Sequence, residues 1–276
     1  VLADKALVVA GIALELVLDG YVTCSPEQVM QPPDDAPSTW QTNGEWFGPG
    51  PWRMPMGGFL LRVPGRTVLV DAGVGPRCVP NVMETGQFLT SLTAMGVGVD
   101  DVTDVVITHL HYDHVGWVSQ DGTPTFPRAV HHLHARDWEY VHSGHASRAA
   151  DSVTESLRPA ADLLHLVSGT RTEVLPGVVL RHVPGHTPGN CLVEVGEGDD
   201  VALLLGDTAH HPVALVDDRW IDHFDADRDQ ARRARAEISA ELERSHAPAT
   251  GAHFDGGRFG RIVRTTDGRL HWRLVT

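Results

Sequence analysis

Apolar residues near the start of the chain fall in two runs, ALVVA and IALELVLDGYV, on either side of Gly11. Runs this short, bounded by glycine, predict two β-rich segments joined by a turn. FLLRV (59–63) and TVLVDAG (67–73) flank a Pro-Gly pair and predict a hairpin of buried strands. Phe88, Leu89, Leu92 and Met95 recur at helical spacing, Gly96 can close that helix, and DVVIT (104–108) reads as another buried strand. VVLRHV (178–183) and VALLLGD (201–207) repeat the form of an apolar strand running into polar residues. Near the end, Asp225 or Asp227 can cap a helix whose apolar stripe is Ala231, Ala234, Ile238 and Leu242, with the intervening Arg and Glu residues as its solvated face. Strands and helices are mixed in both halves, which favours an α/β layer architecture. Neither an internal repeat nor a low-complexity linker divides the 276 residues, so one domain, 1–276, is expected.

Residues 31–58 break the pattern. They are rich in Pro and Gly, carry Trp40, Trp46, Phe47, Trp52, Met54 and Met56, and predict a long loop of the kind that is often functional. Trp46, Phe47, Trp52 and Met54 are candidates for one wall of an apolar substrate pocket, with core packing or a homodimer contact as the alternatives.

A formal charge of −14 and the lack of a dense basic run argue against nucleic acid as a partner. Lys5 is the only lysine, which removes Schiff-base chemistry. The three cysteines, Cys24, Cys78 and Cys191, are widely spaced without a CxxC pair, so neither a disulfide framework nor a cysteine-only zinc site is expected. Glu15 interrupts the apolar run from Ala6 to Leu18, which has no basic leader or small-residue cleavage site and reads as strand, so we expect a cytoplasmic protein with no membrane partner. Histidine is the informative excess at 17 copies, since imidazole is the commonest metal ligand.

The stretch THLHYDH (108–114) places His109, His111, Asp113 and His114 where a strand ends. Three imidazoles and a carboxylate suit a metal better than a core. In a strand, positions 109, 111 and 113 share one face, and a turn beginning near Tyr112 brings His114 to the same centre. His186 in VPGHTPGN, Asp207 in LLLGDTAHH and His253 in TGAHFDG supply further ligands. Five histidines and two aspartates without a thiolate suit two divalent ions, zinc first and manganese, cobalt or iron as alternatives, with Asp207 as the natural bridge. Two such ions can hold a bridging hydroxide at neutral pH and bind the oxyanion formed by its attack.

THLHYDH, GHTPG, GD and GAH, in that order and preceded by VLVDAG, resemble the motifs of the metallo-β-lactamase superfamily, over most of the chain from about Asp19. The resemblance implies a four-layer αββα sandwich with the metal site at one edge of its two sheets. Carried over by position, it implies His109, His111 and His186 on one metal, Asp113, His114 and His253 on the other, and Asp207 between them. Asp207 and His114 point away from most true β-lactamases, toward quorum-quenching lactonases and the methyl-parathion-hydrolase group. Two positions depart from those groups. His210 stands where the lactonases have a tyrosine three residues after the bridging aspartate, and Asn190 stands where many relatives have histidine.

The expected function is therefore a binuclear metal-dependent hydrolase acting on a small apolar lactone or ester, with Asp113 as a proton relay and His210 assisting the oxyanion or leaving group. A phosphotriesterase or glyoxalase-II-like thioesterase remain as alternatives, as do a non-catalytic metal-binding or sensor protein and an iron-dependent redox enzyme. Asp71 is expected to orient a ligand histidine. His132 and His134 share one side of a strand and offer either an accessory metal site or hydrogen-bonded positions.

Overall fold

The computed structural model describes residues 6–34, 47, 50–76, 78–143 and 149–275. β1 (Leu7–Val9) and β2 (Ile12–Cys24) meet at a turn where Ala10 and Gly11 have φ of 47° and 80°. β3 (Trp52–Val63) and β4 (Arg66–Val70) form the expected hairpin around Gly65. β5 (Cys78–Val79), β6 (Met83–Glu84), β7 (Asp104–Val106), β8 (Val130–His134) and β9 (Leu164–Val167) complete a first sheet ordered β9-β8-β7-β4-β3-β2-β6-β5, with β1 also paired to β2. The second sheet runs in chain order through β10 (Arg171–Leu175), β11 (Val178–His182), β12 (Cys191–Glu197), β13 (Asp200–Leu204), β14 (Ala249–Thr250), β15 (Gly260–Arg264) and β16 (Leu270–Leu274).

Parallel neighbours need a crossover, and helices lie in those crossovers. β4 and β7 are parallel and separated by α1 (Phe88–Ala94); β7 and β8 by the short α2 (Tyr112–Val115). β8 and β9 are separated by α3 (Ala135–His142) and α4 (Ala149–Leu157), and β13 and β14 by α5 (Val213–Val216) and α6 (Arg228–Ser245).

Alternation along the strands divides the core into three spaces. Leu60, Leu69 and Val105 of the first sheet pack with Phe88 and Leu92 of α1, Val141 of α3 and Val153 of α4. Their neighbours Phe59, Leu61, Val68, Val70 and Val106 point the other way and meet Val193, Val195, Ala202 and Leu204 of the second sheet. On that sheet's far side Leu192 and Leu203 pack on Ile238 and Leu242 of α6. Helix, sheet, sheet and helix thus make the four layers, and each fully buried Leu or Phe contributes roughly 1.5–3 kcal/mol to holding them together.

Two expectations about local structure are corrected. Trp52, Met54 and Met56 are not in a loop, because β3 pairs with β2 from Cys24↔Trp52 to Ala13↔Arg62. Long-range pairing overrides the loop-like composition there, and the strand's glycines are needed for close approach: a Cβ on Gly58 would lie 2.4 Å from the Asp71 carbonyl oxygen. Arg235 is not on the solvated face of α6 but buried at 1% exposure, paired through Nη1 with Asp225 Oδ2 at 2.9 Å. Asp227 provides the helix cap, accepting from the Gln230 N–H at 2.9 Å. Among the described residues no helix is long and apolar enough to cross a membrane, and Cys24 and Cys191 are free thiols.

Candidate metal centre

Strand ends deliver the site. Asp71 follows β4, His109 to His114 follow β7, His186 follows β11, Asp207 follows β13 and His253 follows β14. β7 stops at Val106, two residues earlier than the pattern predicted, so His109 and His111 lie in an irregular segment and α2 turns Asp113 and His114 back toward them. Gly206 adopts φ 52° immediately before Asp207, and a Cβ there would meet the Thr108 side chain at 2.9 Å, so glycine lets the two ligand segments touch. Asp71 itself sits at φ 63°, a costly conformation for a residue with a side chain.

The structure brings all seven predicted ligands together in two groups that could each hold a metal ion, His109, His111, His186 and Asp207, and Asp113, His114, Asp207 and His253. His111 Nδ1 lies 3.0 Å from both His109 Nε2 and His186 Nε2. That approaches the ligand–ligand edge of about 3.3 Å implied by tetrahedral coordination at 2.0–2.1 Å. Asp207 belongs to both groups: Oδ2 is 3.3 Å from His114 Nε2 and 3.4 Å from His186 Nε2, and Oδ1 is 3.3 Å from His253 Nε2. The rear nitrogens are held. The His114 Nδ1–H donates to Asp71 at 2.8 Å, His186 to Asp225 at 3.4 Å and His253 to the Pro55 carbonyl at 2.9 Å. Each ring therefore turns Nε2 to the centre, the arrangement found around metal-binding histidines. His114 Nε2, His253 Nε2 and Asp207 Oδ1 are buried without a hydrogen-bond partner. Orphaned acceptors converging on one point fit a cation.

Electrostatics agree at His109, His111, Asp113 and Asp207. Burial and the neighbouring His114 hold His109 well below the usual imidazole range, and burial and His186 lower His111 to about 3. Burial alone would raise Asp207, but His114, His253 and His210 outweigh it and keep it well below the ordinary carboxylate range; Asp113 is lowered the same way. Neutral imidazoles facing ionised carboxylates are what a divalent ion requires. His114 and His210 are raised instead, burial being outweighed by Asp207 and Asp71 around the first and by Asp222 and Asp207 around the second.

Asp71 holds the candidate ligand His114 through its Nδ1. Among the described residues His132 and His134 join no group that could hold a metal. His132 Nε2 faces Asp104 Oδ1 at 3.0 Å and His134 Nε2 faces the Gly169 carbonyl at 3.2 Å, so both are hydrogen-bonded. Of the candidate pocket residues, Met54 lines a cavity of about 740 Å³ above the cluster, together with Val22, Cys24, Met56, Tyr112 and Phe224. Phe47 and Trp52 do not line it; Phe47 stacks on His211 at 4.2 Å and meets the edge of Trp52 at 5.4 Å. Trp40 and Trp46 lie outside the described residues. Asn190 closes the 183–190 loop through the Val183 carbonyl at 2.9 Å.

Several supporting residues escape the motifs. Asp137 on α3 accepts from Leu110 N–H at 2.8 Å, Thr187 Oγ–H at 2.9 Å and Gly189 N–H at 2.6 Å, clipping the two ligand segments to each other. Its Asp137→Ala variant is expected to weaken metal affinity about 10–100-fold, the usual cost of losing such support. Chelator competition measures this, and unchanged affinity would show that the loops hold themselves. Arg235 could have been found in the sequence, since it lies four residues after Ala231 and three before Ile238, inside the apolar stripe.

A four-layer αββα sandwich with paired His/Asp ligand groups at its strand ends defines a class of metal-binding proteins. Residues 58–244 match the metallo-beta-lactamase superfamily, and the chain belongs to that family. It is 25% identical over 170 residues to an N-acyl homoserine lactonase of Bacillus sp, an alignment covering 55% of this chain and 63% of that protein. Against a probable metallo-hydrolase of Mycobacterium tuberculosis the identity is 29% over 233 residues, covering 68% of this chain and 70% of the other. Among solved structures, the dizinc quorum-quenching lactonase AidC in complex with a product superposes with a TM-score of 0.85 at 20% identity, over 99% of this chain and 97% of that one. The hydrolase AbOPH gives 0.83 at 19%, over 100% and 98%. These last two are likenesses of fold.

Proposed function

We propose that the chain is a binuclear metal-dependent hydrolase, zinc being its metal, and that it opens neutral lactones or esters carrying an apolar acyl group. One observation carries this reading: the Asp207-centred cluster forms one end of a cavity whose remaining lining, among the described residues, has no Lys, Arg or Glu. An anionic substrate such as a glutathione thioester would meet no Lys or Arg among the described lining residues, whereas an acyl chain can lie against Val22, Cys24, Met54 and Met56. The names of the Bacillus relatives and of the AidC complex support a lactone in particular.

Divalent ions bound by the two groups supply Lewis acidity and an activated water, the chemistry of hydrolysis. Asp113, whose side chain is 12% exposed, faces the cavity and can take up or release a proton there. His210 also lines the cavity, with Nε2 3.3 Å from Asp207 Oδ2, and its role is to hydrogen-bond the oxygen on which charge develops. The apolar wall excludes water from the acyl chain and turns the carbonyl toward the cluster.

Proton release in weak buffer tests the reading with zinc-loaded protein on lactones, aryl esters, thioesters and phosphotriesters. Turnover is expected on lactones, rising with acyl length and abolished by chelation. Silence on lactones and esters at full zinc occupancy would overturn it, and turnover confined to phosphotriesters would replace the substrate class. A visible absorption band in active protein as isolated would replace zinc with iron.

A further inference from the structure

Asp222 is buried at 1% exposure on a two-stranded ribbon in which Ile221–Asp222 pairs with Met30–Gln31. A buried carboxylate costs several kcal/mol unless it is hydrogen-bonded or paired. Both of its oxygens are engaged: Oδ1 accepts from the Phe224 N–H at 3.0 Å and Oδ2 from His210 Nδ1 at 2.5 Å. The short contact to the ring is the one with a consequence for the site. His210 Nδ1 is held from behind and Nε2 is presented forward, 3.3 Å from Asp207 Oδ2. The ring is further fixed by parallel stacking on His253, with centroids 5.1 Å apart and an interplanar angle of 5°, and by Phe224 at 5.7 Å.

The same arrangement serves the ligand histidines. Asp71 stands behind His114 and Asp225 behind His186. His210 thus has the support of a ligand ring, yet it belongs to neither candidate metal group and opens on the cavity. We propose that Asp222 is a positioning residue for the hydrolytic centre: by accepting from Nδ1–H it holds the His210 ring from behind and aims Nε2 at the substrate oxygen. This rests on the reading of the centre as hydrolytic. Without the carboxylate the ring can turn about its side-chain torsion, so fewer molecules present Nε2 when substrate binds. Asp222 touches neither substrate nor metal ligands, and its effect passes through the ring.

Asp222→Ala and Asp222→Asn, each zinc-loaded, give the test. The Ala variant is expected to lose about 100-fold in kcat, in the lower part of the range for a mispositioned acid–base group, with KM and zinc content unchanged. Asn, which can still accept from Nδ1–H in one orientation, is expected to recover part of that loss. In a His210→Ala background, removing Asp222 should cost nothing further, because the two act as one unit. NMR of the histidine rings supplies a readout independent of turnover: wild-type His210 should show an Nδ1–H hydrogen-bonded to a carboxylate, and the Ala variant should lose that signal. An unchanged His210 signal in Asp222→Ala would overturn the proposal, as would a further loss of kcat in the double variant or loss of zinc in parallel with activity. Wild-type protein without hydrolytic activity would sink the functional reading while the NMR comparison still decides whether Asp222 sets the ring.

Discussion

Replacing Asp207 with alanine is expected to lower kcat/KM on the best substrate by at least about a thousandfold, or roughly 4 kcal/mol of transition-state stabilisation. The reason is geometric. Asp207 is the one residue shared by both candidate metal groups, and five imidazoles, of His109, His114, His186, His210 and His253, lie within 3.6 Å of its oxygens. Removing it would take a charged ligand from each of the two proposed ions and leave buried nitrogens facing one another without a counter-charge. Metal content, measured by elemental analysis after dialysis, should fall from two ions per chain to one or none. Asp207→Asn keeps one neutral oxygen acceptor and should retain more metal than the alanine variant. Two ions retained in Asp207→Ala, with activity within about tenfold of wild type, would remove Asp207 from the bridging position.

The centre was legible in the sequence because its ligands lie in short runs whose spacing has only a few geometric solutions. THLHYDH sets four of them within seven residues, and Gly185 and Gly206 mark the places where the chain must bend sharply to present His186 and Asp207. The strands with strong apolar runs, and the glycines that end them, were legible for the same local reason. What was not legible is whatever depends on segments distant in sequence. β3 reaches back to Trp52 only because β2, some thirty residues earlier, pairs with its whole length. Asp137 and Asp222 look like surface carboxylates until the fold sets one between two ligand loops and the other behind His210. Asp225 was read as one of two possible helix caps; it instead joins His186 to the buried Arg235. The cavity wall likewise draws Val22 and Cys24 from the first strands, Met54 and Met56 from the third and Phe224 from a late loop. No window of sequence contains that surface.

His131 should impose an acid limb on folding stability that is independent of the metal ligands. It is fully buried on β8, its Nδ1–H donates to the Ala129 carbonyl at 3.1 Å, and its Nε2 has no partner. Burial, the largest influence, lowers it from 6.5 to about 4. The folded state therefore keeps the ring neutral while the unfolded chain protonates it, so the unfolded state binds more protons between those two values and stability falls with pH across that window. Above about 6.5 the ring costs nothing by this route; below about 4 the penalty is complete, at about 3 kcal/mol for a shift of that size. Ligand histidines such as His109 and His111 are lowered too, but they contribute equally to wild type and to a His131→Leu variant and cancel in the difference. Urea denaturation at fixed free zinc should then show the variant gaining on wild type by about 3 kcal/mol between about pH 7 and about pH 4. Parallel pH profiles would mean that His131 is hydrated or protonated in the folded protein, and that the acid sensitivity belongs to the metal centre alone.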